Sequence, residues 1–194
     1  MSTKESAKSQ DFINTAVEKA QGMREGAKAH GVYKIECFDS EGNLKWTIEE
    51  PNLVVNQGLQ DMNTKYFKGT TYTAAWYLGL YGAAASNNPV AGSTAASPTG
   101  ITEVTAYSQT TRVAVTFGTA TTADPSVISN SASPSAFSIN GTTTVGGAFL
   151  ISDSTKSGTS GVLFSASDNQ SPGDRSVISG DTVNVTYTFN LDAA

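Results

Sequence analysis

The stretch that most restricts how this chain can fold is near its end. Over residues 182–191, TVNVTYTFNL, the apolar Val183, Val185, Tyr187, Phe189 and Leu191 alternate strictly with Thr182, Asn184, Thr186, Thr188 and Asn190. Successive side chains of a strand point to opposite faces, so a period of two over ten residues specifies an extended strand with one face in a core. At ~3.3 Å per residue it runs about 33 Å. It cannot bury that face alone, which calls for a second packed layer.

Residues 73–191 carry further signals of the same kind. Residues 75–81 are apolar on both faces (Trp76, Leu78, Leu80 and Tyr77, Gly79, Tyr81), as a central strand should be. Residues 83–100 form a long Ala/Ser/Asn/Pro/Gly loop. Strands are predicted over 103–107, 112–117, 135–139, 144–152 and 161–165. Asn140-Gly141, the dipeptide most favourable to a two-residue turn, predicts a hairpin after 135–139. Seven to nine closely spaced strands without crossover helices exclude a parallel α/β sheet. They predict a mainly β chain, with an antiparallel β-sandwich or jelly-roll body over 31–194.

The first third differs. Residues 32–38 and 44–48 alternate around the turn Asp39-Ser40-Glu41-Gly42-Asn43, which predicts a hairpin within 31–50 that Pro51 ends. Asn56 is placed to cap a short helix over 56–68, with Leu59, Met62, Tyr66 and Phe67 facing inward. Residues 1–30 read as an N-terminal arm. From 6 to 30, Ile13, Ala16, Val17, Ala20 and Ala27 recur at helical spacing, but the stripe is thin and Gly22 and Gly26 weaken it. Such a segment gains order by docking, and Phe12, Ile13 and Val17 are its candidate partner-binding anchors.

Charge follows the same division. Of 29 charged residues, 19 lie in the first 68 positions, so the remaining 126 hold only ten and are rich in hydroxyls. Surfaces so poor in charge suit modules that pack against neighbours, and a homo-oligomer is expected. A net charge of −5 argues against a nucleic-acid partner, which calls for a basic patch. There is no run of about 18 apolar residues for a membrane span, and the first dozen residues lack the apolar core of a signal peptide. One cysteine, Cys37, allows no internal disulfide, which suits assembly in a reducing cytoplasm.

No set of residues for chemistry stands out. His30, the one histidine, reads as a linker residue between arm and body. Cys37 alternates with Tyr33 and Ile35 on an apolar strand face, where a thiol packs as a small hydrophobe. Asp124, Asp153, Asp168, Asp174 and Asp181 stand in turn contexts where Asp caps backbone, and neither 39–43 nor 168–174 has the spacing of an EF-hand loop. The Gly-rich stretches lack the Lys of a phosphate loop. The expectation is a non-enzyme with no catalytic, cofactor-binding or metal-binding residues.

The block GVYKIECFDSEGNLKWTIEEPNLVVNQGL, residues 31–59, resembles one found in structural proteins of tailed bacteriophages, where a hairpin around D-x-E-G-N leads into N-L-V-x-N-x-G-L. AAWYLGLYG, TEVTAYSQTTRVAVTFG, VGGAFLISDSTKSGTSGVLFSA and SGDTVNVTYTFNL follow in the order expected of that group, so the resemblance spans about residues 31–191. It implies a virion protein without catalytic residues or cofactor. Within that group the expected role is capsid decoration (cement), with the major capsid protein as partner. The alternatives are a neck, tail or fibre-associated protein, and a module that binds host glycans through surface tyrosines.

Overall fold

The computed structural model describes residues 26–72, 75–82, 89–167 and 173–193. β1 (Ala27–Phe38) and β12 (Thr182–Ala193) pair antiparallel along their whole lengths, Ala27 opposite Ala193 and Phe38 opposite Thr182. β2 (Leu44–Val54) flanks β1; β6 (Ser126–Ser129) and β7 (Ser135–Ser138) flank β12. A second layer holds β3 (Tyr77–Tyr81), β9 (Gly147–Ile151) and β10 (Leu163–Ser167), with the short β4 (Glu103–Val104) and β5 (Val113–Ala114) along the outer edge of β3. β8 (Thr143–Val145) and β11 (Arg175–Val177) form a separate small pair.

β2 joins the two layers. Its register with β1 ends at Pro51 opposite Val32, and from Asn52 to Val54 it pairs with β10 instead. Pro51 thus ends the hairpin, as the sequence predicts, while the strand itself runs on to Val54. Lacking an N–H, Pro51 suits the point where one ladder stops and the next begins.

Side chains of both layers meet in one core. Tyr33, Ile35, Cys37, Ile48, Val183, Val185 and Tyr187 pack against Leu78, Leu80, Ala148, Leu150 and Phe164. The chain is thus mainly β and antiparallel, and its body is a β-sandwich. Each fully buried large apolar side chain contributes roughly 1.5–3 kcal/mol. The alternation of residues 182–191 is realised as far as Tyr187. Phe189 is partly buried and Leu191 is exposed.

A smaller core lies on the opposite face of the second layer, where Tyr81, Phe149, Ile151, Leu163 and Ala166 meet Val55, Ala95 and Ile101. Both faces of β3 and β9 are therefore covered, which is why neither alternates. Buried tyrosine hydroxyls in both cores need partners, and serines of β10 supply most of them. Tyr33 donates to the Ser165 carbonyl at 3.2 Å, and Tyr81 donates to the Ser167 carbonyl at 2.7 Å. Tyr187 accepts from Ser165 Oγ at 3.2 Å and from Asn52 Nδ2 at 2.9 Å.

Three expectations are corrected. β1 starts at Ala27, so residues 27–30 are strand, neither helical arm nor linker. Asn140-Gly141 closes no hairpin, because β7 pairs with β12 and β8 pairs with β11. The backbone on either side is already committed, Ile139 N–H donating to Asp181 O at 2.8 Å. The strand predicted over 144–152 is broken at Gly146, whose N–H donates to Tyr81 O at 2.8 Å. Of the arm expected over residues 1–30, positions 1–25, with Phe12, Ile13 and Val17, lie outside the described residues.

Candidate attachment surface

The titratable groups of the described body are mostly committed to holding it together. Arg112, 3% exposed, donates through Nε and Nη2 to the two carboxylate oxygens of Glu103, at 3.0 and 2.9 Å. It also donates to the carbonyls of Asp153 and Gly158, each at 3.0 Å, and the Ser157 N–H donates to Glu103 Oε2 at 2.7 Å. The fork geometry of the guanidinium thus pins the 153–158 loop against β4. Beside this brace opens a cavity of about 290 Å³, floored by Ile101, Phe149, Ile151 and Leu163. Glu103 also lines it, held by the Arg112 guanidinium and the Ser157 amide.

Asp181 is a second brace. It is 2% exposed, accepts from Lys45 Nζ at 2.6 Å and from Ile178 N–H at 2.9 Å, and has Cys37 Sγ at 3.8 Å. Burial alone would raise its carboxyl pKa. The bonds from Lys45 and Ile178 outweigh burial and hold it below the usual carboxylate range. Burial first, then the Asp181 charge, push the Cys37 thiol up to about 11, so it stays protonated near neutrality and packs as a hydrophobe.

Asp39 accepts the N–H groups of Glu41 and Asn43 at 2.9 and 2.8 Å and so caps the turn between β1 and β2. His30 stands on β1 with Nδ1 3.6 Å from an Asp192 oxygen. Among the described residues no three His, Cys, Asp or Glu side chains converge as metal ligands, and no helix is long and apolar enough to cross a membrane.

Among the described residues, exposed aromatic side chains cluster at the end of α1 (Asn56–Lys68), whose orientation departs from the sequence expectation. Val55 is the N-cap residue, and no side chain caps the helix. Asn56 instead donates its backbone N–H to Ala91 O at 2.8 Å. The first turn is riveted by Gln57, whose Oε1 accepts from Ala95 N and Leu163 N at 3.1 and 2.9 Å. Next to it, Gly58 is the one buried residue of α1, and a Cβ there would collide with the Phe164 carbonyl. That close approach fixes the rotation of the helix, with Met62 packing against the main core.

Leu59, Tyr66 and Phe67 consequently turn outward, 42%, 84% and 78% exposed, and Tyr72 just beyond the helix is 67% exposed. The rings of Tyr66 and Phe67 meet edge-to-face at 5.0 Å, and Lys65 Nζ lies 5.7 Å from the centre of the Tyr72 ring.

No family model, curated protein or solved structure matches this chain.

Of the sequence-derived candidates, the anchors Phe12, Ile13 and Val17 fall outside the described residues. The aromatic end of α1 was missed because its residues were assigned to the core. The available signal was Gln57-Gly58, a polar residue and a glycine whose side of the helix could face packed backbone.

Proposed function

We propose that this protein is a structural component of a tailed-bacteriophage particle, binding the major capsid protein at many symmetry-related sites as a decoration protein. The observation that carries this reading is where the phage-like block falls in the fold. Residues 31–59 comprise most of β1, the Asp39 turn, all of β2 and the first turn of α1. Within them Gly42 adopts φ +85°, Asn52 bonds Tyr187 and Gly58 admits the Phe164 backbone. The block that resembles phage proteins is thus the piece of chain that links both layers and delivers the helix.

Two further observations support an assembly role. The described charges of the β-body are largely spent on internal braces, as at Glu103, Arg112, Asp153 and Asp181. The double-sided core makes the second layer a stiff tile, suited to passing load between neighbouring subunits. The test is a mass-spectrometric count against the major capsid protein in purified particles. Copies on the order of hundreds, in fixed proportion to the shell, support decoration; a ring of about six or twelve copies assigns the protein to neck or tail instead.

A further inference from the structure

Asn140-Gly141 closes no hairpin, so an Asn-Gly pair stands on the surface without a structural task. We propose that it is a self-modification site, where the Gly141 backbone nitrogen attacks the Asn140 side-chain amide and residue 140 becomes aspartate or isoaspartate.

The pair lies in the short connection between Ile139 and β8, and Asn140 is exposed. Among the described residues, neither the Asn140 side-chain amide nor the Gly141 N–H has a hydrogen-bond partner. Nucleophile and target sit on adjacent residues, so the reaction is intramolecular and nothing competes for the nitrogen. Glycine is the residue the attack needs at 141. It has no Cβ to crowd the nitrogen, and its backbone turns freely enough to bring that nitrogen to Asn140 Cγ.

The chemistry requires only water. The Gly141 nitrogen bonds to Asn140 Cγ and gives up its proton; the Cγ–Nδ2 bond breaks, and Nδ2 takes a proton and leaves as ammonia. Water then adds to one of the two carbonyls of the resulting five-membered imide. Opening at Cγ gives aspartate, and opening at the main-chain carbonyl gives isoaspartate, with the backbone routed through Cβ.

The fold selects this asparagine. The other described asparagines precede Leu, Gln, Thr, Ser or Val, whose side chains shield the next nitrogen. Asn130, before the small Ser131, is the nearest rival. It is fully buried, its Nδ2 donating to Val185 O at 3.1 Å and its Oδ1 accepting from Tyr187 N–H at 2.7 Å.

The consequence is confined to the surface. Conversion adds one negative charge to a chain of net charge −5. Isoaspartate also lengthens the backbone by a methylene, between anchors that stay in place. Ile139 N–H donates to Asp181 O at 2.8 Å, Gly180 N–H donates to Ile139 O at 2.9 Å, and Thr143 pairs with Val177. The slack collects at Gly141 and Thr142, and the sandwich stays folded.

The experiment ages the purified full-length protein at pH 7, 8 and 9, folded and in guanidinium chloride. Peptide mapping by mass spectrometry that separates aspartate from isoaspartate follows each asparagine. Gly141→Ala is run beside the wild type. Its added Cβ meets only Ala106 Cβ at 3.5 Å, an ordinary contact, so the variant folds, and its melting temperature checks this.

Asn140 is expected to convert before every other described asparagine, to yield both products, and to speed up as pH rises, because the attacking nitrogen must lose its proton. Its rate in the folded protein should lie within about ten-fold of the unfolded chain, as for a segment with little local order to undo. Gly141→Ala should slow it roughly ten-fold or more. Asn140 that persists in the folded protein while the unfolded chain converts overturns the proposal, because the fold then locks the site. Aspartate without isoaspartate, or equal rates in wild type and Gly141→Ala, overturns the attack by Gly141. Faster conversion at Asn130 overturns the selection by burial.

Discussion

β12 and α1 were both read from amphipathic patterns, and they came out differently. In β12 the side chains of Val183, Val185 and Tyr187 lie where the alternation puts them, fully or almost fully buried. In α1 Leu59, Tyr66 and Phe67 were assigned inward and lie outward. A strand has two faces, so one buried residue sets all the others. A helix can be turned through any angle about its axis, and a single close contact, Gly58 against Phe164, can outrank a stripe of larger side chains. Pattern strength therefore says more about strands than about short helices, and an aromatic displaced from a core becomes available for contact.

The sharpest way to break that contrast is to attack β12. Tyr187→Ala removes a ring packed on Tyr33 at 4.6 Å and leaves Ser165 and Asn52 short of a partner. It is expected to cost about 3–5 kcal/mol in urea unfolding. A loss below about 1 kcal/mol would mean that the two layers are not joined by this cluster.

Next is the residue that precedes β12. Asp181→Ala removes the acceptor for Lys45 and Ile178 and should cost about 2–4 kcal/mol at neutral pH. The sign with pH follows from the shifts. The carboxyl is lowered in the fold, so its contribution is present above the ordinary value near 4 and fades as pH falls toward the lowered one. Hydrogen bonding to Asp181 chiefly raises the Lys45 pKa, so the Lys45 part persists below the usual lysine range and fades as pH rises through the raised value. Thermal melts from pH 7 to 3 should therefore show an acid-dependent loss in the wild type that is reduced in the variant.

Smaller still is the effect of turning the helix. Gly58→Val sets a branched side chain against the Phe164 backbone and should cost about 1–3 kcal/mol. Amide exchange in α1 should accelerate more than in β12. Smallest is the exposed end, where Tyr66→Ser and Phe67→Ser should each move unfolding by less than about 0.5 kcal/mol. A large loss from either would show that the ring supports the fold.

Much of the architecture was legible because its strands alternate or are apolar throughout. β12, β3, the turn at Asp39, the extent of α1 and the two-layer body all follow from that. What escaped depended on partners distant in sequence. Pro51 ends the hairpin as read, but that Asn52–Val54 go on to pair with β10 depends on a strand more than a hundred residues away. Asn140-Gly141 looks like a hairpin until β12 claims β7. His30 looks like a linker until β12 runs on to Ala193 beside it. The braces were half visible, with Asp181 read as a turn residue and Arg112 as an ordinary strand position. Only the fold reveals that they tie loops to sheets.

The claim that β12 is locked inward while α1 turns its aromatic end outward is tested most directly by hydroxyl-radical footprinting of the full-length protein. Tyr66, Phe67 and Tyr72 should oxidise readily, while buried Tyr33 and Tyr187 stay unreactive. Protection of the three exposed rings would contradict the account.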